Sequence, residues 1–177
     1  MFENYLSIVT NQYGAAFSTL NRCIEECSEE LWDSKVAKLT FSQALFHTLF
    51  YADLYLHEIN DESFKQQEFH ERNQDSFRDY EEMQDKPQQH AYSKGFVRDY
   101  FQHCLDKSRC AFQDATEAWL LEPSPFPWIE STRSEVHIYN MRHIQHHAAQ
   151  LILRLRLEGP IQFPWYRSGW EDCRKLG

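Results

Sequence analysis

The sequence predicts an all-α protein: a four-helix bundle with one long crossover connection between its second and third helices. Apolar side chains recur at steps of three and four in four separate segments, which is typical of amphipathic helices. The 177 residues include only 5 glycines and 6 prolines, and no segment has a convincing strand pattern. With 42% hydrophobic and 15% aromatic residues, the chain can bury a sizeable core. We therefore expect residues 1–177 to form a single domain.

The first two predicted helices cover residues 2–27 and 41–59. In the first, the apolar positions fall at helical steps: Phe2, Leu6, Val9, Tyr13, Ala16, Leu20, Ile24 and Cys27. Residues 28–39 predict a loop, and Thr40 is the expected N-cap of the second helix. The second helix is apolar nearly all round, which is typical of a helix enclosed by its neighbours. His47 and Asp53 interrupt this apolar surface.

An acidic connector, residues 58–85, follows the second helix. It contains ten acidic and three basic residues, and its charges are expected to face solvent. Its aromatic side chains suggest that it docks on the domain: Phe64, Phe69, Phe77 and Tyr80. Because a helix of about 20 residues is only about 30 Å long, a connector of this size can run back along the bundle. We therefore expect a crossover here and not a tight hairpin.

The third and fourth helices are predicted at residues 94–121 and 133–157. Ser93 is the expected N-cap of the third helix, and the prolines of residues 122–128 end it. Thr132 and Glu135 have the spacing of a capping box at the start of the fourth helix. Gly159 and Pro160 end the fourth helix. An aromatic tail, residues 159–177, completes the chain.

Charge and cysteine content exclude several functional classes. The net charge of −9 lacks the basic footprint of a nucleic-acid binder, and solubility is its ordinary explanation. The most apolar stretch is too short to span a bilayer, and the N-terminus lacks the basic region of a signal peptide. Five cysteines without a CxxC spacing fit a reducing compartment, so we expect a cytoplasmic protein. Cys23 and Cys27 are spaced for a metal pair, although free cysteines are ordinarily core residues.

Three of the nine histidines are candidate metal ligands. On the fourth helix, a rotation of about 100° per residue places His143 and His147 beside the apolar stripe and His146 towards water. Two imidazoles one turn apart can bind one divalent ion from the same side. Partial burial with water or backbone partners is the alternative for this pair. His47 lies in an apolar helix, where an unpartnered imidazole would be costly.

Together His47, His143 and His147 would form a three-imidazole site with open metal positions, as catalytic sites have. A metal ion in such a site lowers the pKa of bound water or of a substrate thiol. Imidazole ligands suit zinc, nickel, copper or iron. Four other histidines lie in polar or mixed surroundings, where exposure is expected: His57, His70, His90 and His103.

The histidine segments resemble those of the DinB-like proteins, a family of four-helix-bundle proteins with metal-ligating histidines. The stretch from Ala44 to Phe50 is similar to the first histidine motif, and residues 143–151 are similar to the second, HxxxHRGQ. The resemblance covers the helix order, the long connector and the motif spacing. It implies that His47, His143 and His147 hold a divalent ion, zinc or nickel, that Gln150 matches the motif glutamine, and that the protein is a homodimer. Ala148 and Ala149 replace the usual Arg-Gly.

These observations lead to a metal-dependent enzyme acting on a small molecule, by transfer of a low-molecular-weight thiol or by hydrolysis. Tyr51 and Gln150 are candidate pocket-lining residues, and the aromatic tail is a candidate cover for the site. Ordinary aromatic packing is the simpler interpretation of Tyr51 and of the tail. The alternative function is a non-catalytic binding or interaction protein with a vestigial or structural metal site. A di-iron carboxylate bundle is set aside, because no Glu precedes a His by three positions.

Overall fold

The computed structural model of the chain describes residues 1–57, 69 and 90–170, and these residues are mostly helical, as predicted. The longer helices are α1 (Phe2–Glu26), α3 (Phe41–His57), α4 (Lys94–Cys110) and α6 (Arg133–Arg156). Two short helices, α2 (Glu29–Trp32) and α5 (Glu117–Leu121), lie between them. Within the described residues, no helix is long and apolar enough to cross a membrane.

The segment between α1 and α3 is more ordered than the predicted loop. Ser28 caps α2 through its side chain, which accepts a hydrogen bond from the Leu31 N–H. Strands β1 (Lys35–Val36) and β2 (Leu39–Thr40) then pair antiparallel, with the turn residue Ala37 in the left-handed region at φ 55°. The expectation of a strand-free chain was wrong here. Strands of two residues are too short to show an alternating pattern in the sequence.

Side-chain caps set the starts of α3 and α6. At α3, the Thr40 Oγ1 accepts the Gln43 N–H at 3.3 Å and the Gln43 Oε1 accepts the Thr40 N–H at 2.8 Å. This reciprocal pair is a capping box, and Glu135 likewise accepts the Thr132 N–H at the start of α6. The predicted ends are close to the observed ones, since α1 and α6 each end one residue earlier than expected. The last two predicted residues of α3, 58 and 59, lie outside the described residues.

The predicted helix 94–121 was wrong as a single element. Helix α4 ends at Cys110, and a turn follows in which the Gln113 N–H donates to the Cys110 carbonyl. The Phe112 ring packs against Tyr13 of α1, and Thr116 caps the separate helix α5. Apolar spacing continues through this break, which is why periodicity alone joined the two helices.

Contacts between the longer helices define their directions. Helices α1 and α6 run in the same direction, since three α1 residues meet three α6 residues in ascending order: Tyr5 with Ser134, Tyr13 with His137, and Cys23 with Ala148. Helix α3 runs against α6 and in the same direction as α4, as four contacts show: His47 with His143, Ala52 with Asn140, Phe46 with Phe96, and Asp53 with Lys107. The connector 58–85, which follows α3 and precedes α4 in the chain, lies outside the described residues, apart from Phe69.

The core lies between the four longer helices and is rich in aromatic side chains. Tyr13 and Phe17 of α1, Phe46 of α3, and Tyr100 and Phe101 of α4 are almost fully buried. Helix α3 is enclosed on all sides, with every residue from Phe41 to Phe50 buried. An apolar helix gains the most from burial on every face, so the core is built around α3.

Candidate metal centre

Helices α3 and α6 bring three histidines together. His47 and His147 are buried, with 6% and 3% of their surfaces exposed, and His143 is half-buried. One potential ligand atom from each histidine lies within 4.8 Å of those from the other two. The neighbouring His146 is exposed, as its position on the helix predicted. The antiparallel contact of α3 with α6 therefore assembles the three candidate ligands named from the sequence.

The separation of the imidazole nitrogens suits one metal ion. The Nε2 atoms of His47 and His143 are 3.5 Å apart. Two nitrogen ligands of a tetrahedral zinc ion, each at about 2.05 Å, are about 3.3 Å apart. The ring of His147 lies 4.7 Å from that of His47 and 4.6 Å from that of His143, between centroids. The spacing of His47 and His143 thus matches that of two ligands of a small divalent ion, and His147 lies near enough to be the third.

Gln150 orients one of the ligands. The His147 Nδ1 and the Gln150 Oε1 are 2.8 Å apart, and since an amide oxygen only accepts, the Nδ1 carries the proton. The lone pair of His147 is then on Nε2, which is the nitrogen left for a metal ion. The Gln150 amide nitrogen in turn lies 3.2 Å from the Nε2 of His146. Gln150 therefore acts on the cluster through His147.

The surroundings of His143 disfavour its protonation. Burial, and then the proximity of His147, His47 and His146, lowers the pKa of His143 to about 2. A neutral imidazole keeps its lone pair available for a metal ion at physiological pH. Within the described part of the chain, no carboxylate joins the three histidines as a potential ligand. A divalent ion would keep its full positive charge there and favour an anionic further ligand.

Tyr51 borders the cluster one turn after His47. Its ring centroid lies 5.0 Å from that of His47 and 5.4 Å from that of His143. The side chain is half-buried and stacks on Tyr55 at 5.8 Å. Its ring therefore packs beside two of the candidate ligands and restricts their rotation.

The structure places the other sequence candidates away from the cluster. Cys23 and Cys27 are buried, and burial raises the pKa of both thiols, that of Cys27 to about 11. Such thiols are poor metal ligands, in agreement with their interpretation as core residues. In the aromatic tail, Trp170 stacks on Phe17 of α1 and lies under the Arg109 guanidinium. This part of the tail packs on α1 and α4, whereas residues 171–177 lie outside the described residues.

A buried ion pair, which the sequence did not reveal, joins α3 to α4. Asp53 is fully buried, and its carboxylate accepts hydrogen bonds from the Lys107 Nζ at 2.6 Å and the Tyr100 hydroxyl at 3.1 Å. The His103 Nε2 lies 3.3 Å from it, so His103 is a partner of Asp53 and not the simple surface residue expected. Burial alone would raise the pKa of Asp53, but the His103 and Lys107 contacts outweigh it and hold this pKa below its ordinary value.

Two further buried polar residues on α6 were not singled out from the sequence. His137 is fully buried, with its Nδ1 3.2 Å from the Tyr13 hydroxyl, and burial lowers its pKa to about 4. Asn140 is also fully buried and donates to the Ala52 carbonyl of α3 at 3.1 Å. Both lie one or two turns before His143 on the inner face of the helix. Helical periodicity would have identified them as residues of that face.

Comparison of the chain with protein-family models, with curated proteins and with solved structures finds no match. The evidence for its function therefore lies in the geometry of its own residues.

Proposed function

We propose that this chain is a divalent-metal-dependent enzyme of the DinB-like type, with zinc or nickel held by His47, His143 and His147. The convergence of the three imidazoles from α3 and α6 carries the proposal. The directions of the four longer helices also support a four-helix bundle with a crossover between the two parallel helices α3 and α4.

The arrangement suits a catalytic centre better than a closed structural site. Structural zinc sites use four protein ligands, whereas three leave a position for a reactant. An ion bound there would supply Lewis acidity, which activates a thiol or water as a nucleophile near neutral pH. His47, His143 and His147 would hold the ion, Gln150 fixes the tautomer of His147, and Tyr51 packs beside His47 and His143. The substrate class we propose is a small electrophile, with a low-molecular-weight thiol or water as its partner.

Metal content is the direct test of this proposal. The protein is purified without a histidine tag, and bound metals are measured by elemental analysis for the wild type, His143→Ala and His146→Ala. His146 is the matched control, because it is adjacent on α6 but exposed. We expect about one equivalent of zinc or nickel in the wild type and in His146→Ala, and its loss in His143→Ala.

Less than about a tenth of an equivalent in correctly folded wild type, even after incubation with zinc or nickel, would overturn the proposal. If the ion is present, the metal-loaded protein is assayed with low-molecular-weight thiols and electrophilic substrates. Turnover that disappears in His143→Ala and persists in His146→Ala supports the enzyme. Tight metal binding without turnover across such a panel favours the alternative, a non-catalytic binding protein.

A further inference from the structure

Two buried polar atoms near the candidate metal centre have no hydrogen-bond partner among the residues that the structure describes. One is the Nδ1 of His143, and the other is the Oδ1 of Asn140. A buried polar group without a partner destabilises a protein, so two such groups on one helix need a physical reason.

The orientation of the Asn140 amide is fixed. Its Nδ2 donates to the Ala52 carbonyl of α3 at 3.1 Å, and a carbonyl oxygen can only accept. The nitrogen end of the amide is therefore held at α3, and the oxygen end is left as an acceptor. Asn140 is fully buried, so bulk water does not reach it.

The Oδ1 of Asn140 is an acceptor and the Nδ1 of His143 can be a donor, and the two residues are three positions apart on α6. Residues at i and i+3 of a helix have Cβ atoms about 5–6 Å apart, a distance that an imidazole and an amide span with one water between them. The two atoms do not bond each other directly in the structure. We propose that Asn140 is a positioning residue: its Oδ1 accepts a hydrogen bond from a buried water that itself accepts the Nδ1 proton of His143, which leaves the lone pair of His143 on Nε2 for the metal ion.

This assignment gives His143 the same tautomer that Gln150 gives His147. In both residues the Nδ1 then carries the proton, held by an amide oxygen on α6 directly for His147 and through a water for His143, and the Nε2 is free for a cation. It also accounts for the 3.5 Å approach of the Nε2 atoms of His143 and His47, since a lone pair on the first can accept a proton from the second in the metal-free protein. The inference rests on the proposed metal site for its role, but the tautomer itself exists without metal.

The test compares Asn140→Leu with Asn140→Asp. Both variants lose the bond to the Ala52 carbonyl, but only Asp keeps an acceptor for His143. The tautomer of His143 is read from the ring-nitrogen chemical shifts of metal-free, ¹⁵N-histidine-labelled protein. Zinc affinity is measured by competition with a chromogenic chelator, and circular dichroism checks folding.

We expect the Nδ1-protonated tautomer in the wild type and in Asn140→Asp, and its loss in Asn140→Leu. Zinc affinity should fall by about 10–100-fold in Asn140→Leu, while Asn140→Asp binds at least as well as the wild type. An unchanged His143 tautomer in Asn140→Leu, or equal losses of zinc affinity in both variants, would overturn the inference. If the Asp variant does not fold, the tautomer in the Leu variant decides. Failure of the wild type to bind any metal refutes the proposed function. It does not decide this inference, which is judged from the tautomer of His143 in metal-free protein.

Discussion

Replacing Lys107 by methionine is expected to destabilise the protein by about 3 kcal/mol, because the buried Asp53 carboxylate loses its cation. Methionine is similar in length to the lysine stem, so the substitution removes the charge with little change in packing. The Lys107 Nζ contacts both the Oδ1 of Asp53 at 2.6 Å and its backbone carbonyl at 3.0 Å. Both contacts disappear together in the variant.

The magnitude follows from burial. Removing one partner of a buried ion pair costs about 3–5 kcal/mol, because the other charge is left uncompensated. The lower end applies here, since the Lys107 side chain is 21% exposed and Asp53 keeps its contacts with Tyr100 and His103. Asp53→Asn combined with Lys107→Met should cost less than Lys107→Met alone, because no unpaired charge is left.

The assay is urea denaturation of the metal-free protein at pH 7 and pH 4, with the free energy of unfolding obtained by linear extrapolation. In the wild type the lowered pKa of Asp53 stabilises the fold above the unfolded value of about 3.9, and this contribution is lost as the pH falls through the folded value. In Lys107→Met the pKa of Asp53 rises, since burial is no longer offset by the lysine, and the carboxyl protonates earlier. The difference between the two proteins should therefore shrink at pH 4. A difference below about 1 kcal/mol at pH 7, or one that is equal at both pH values, would refute the reasoning.

Three other predictions follow from the described contacts. Gln150→Leu removes the acceptor of the His147 Nδ1 proton and should weaken zinc binding by about 10–100-fold in a chelator competition. Gly14→Ala should destabilise the protein by about 1–3 kcal/mol in thermal or urea denaturation, since its Cβ would lie 2.6 Å from the backbone of the tail. Gly95→Ala meets open space in the first turn of α4 and should not destabilise the protein. The metal-free protein should lose stability as the pH falls from about 6.5 to about 4, because His137 takes up a proton only when unfolded.

Each of these predictions has a control. Gln145→Leu replaces an exposed glutamine of the same helix and should leave zinc affinity unchanged; equal losses in the Gln145 and Gln150 variants would contradict the orienting role. A Gly14→Ala protein as stable as the wild type would mean that the tail moves away without cost. For His137, substitution by phenylalanine should flatten the stability profile between pH 6.5 and pH 4, apart from the contribution of His143, and an unchanged profile would exclude His137 as its origin.

Helical periodicity was sufficient to predict α1, α3 and α6 and the faces of three histidines on α6. The facing of His143 and His147 towards the core, and of His146 towards water, follows from 100° per residue alone. Periodicity did not reveal the break after Cys110, because the apolar spacing continues on the other side of the turn. Thr116, a residue type that often caps helices, was the feature of the sequence that could have indicated a new helix start there.

Pairing across helices was the part that the sequence could not provide. Asp53 was visible as a carboxylate in an apolar segment, but its partners lie on α4, about fifty positions further along the chain, and depend on the register of two helices. The same holds for Asn140 and its contact with Ala52. The proximity of the three histidines was an exception, because a spacing of four puts two imidazoles on one helix face and an imidazole in an apolar helix needs a partner.

Helix α3 is buried and is attached through polar side chains to α6 on one side and to α4 on the other, which fixes the position of His47. His47 faces α6 on one side of this helix, and Asp53 is tied to α4 on the other, six residues later. A rotation or a shift of the helix along its axis would break the tie to α4 and separate the imidazoles at the same time. In the proposed metal site, the fold itself would thus pre-assemble the coordination sphere, and an arriving cation would have little left to organise.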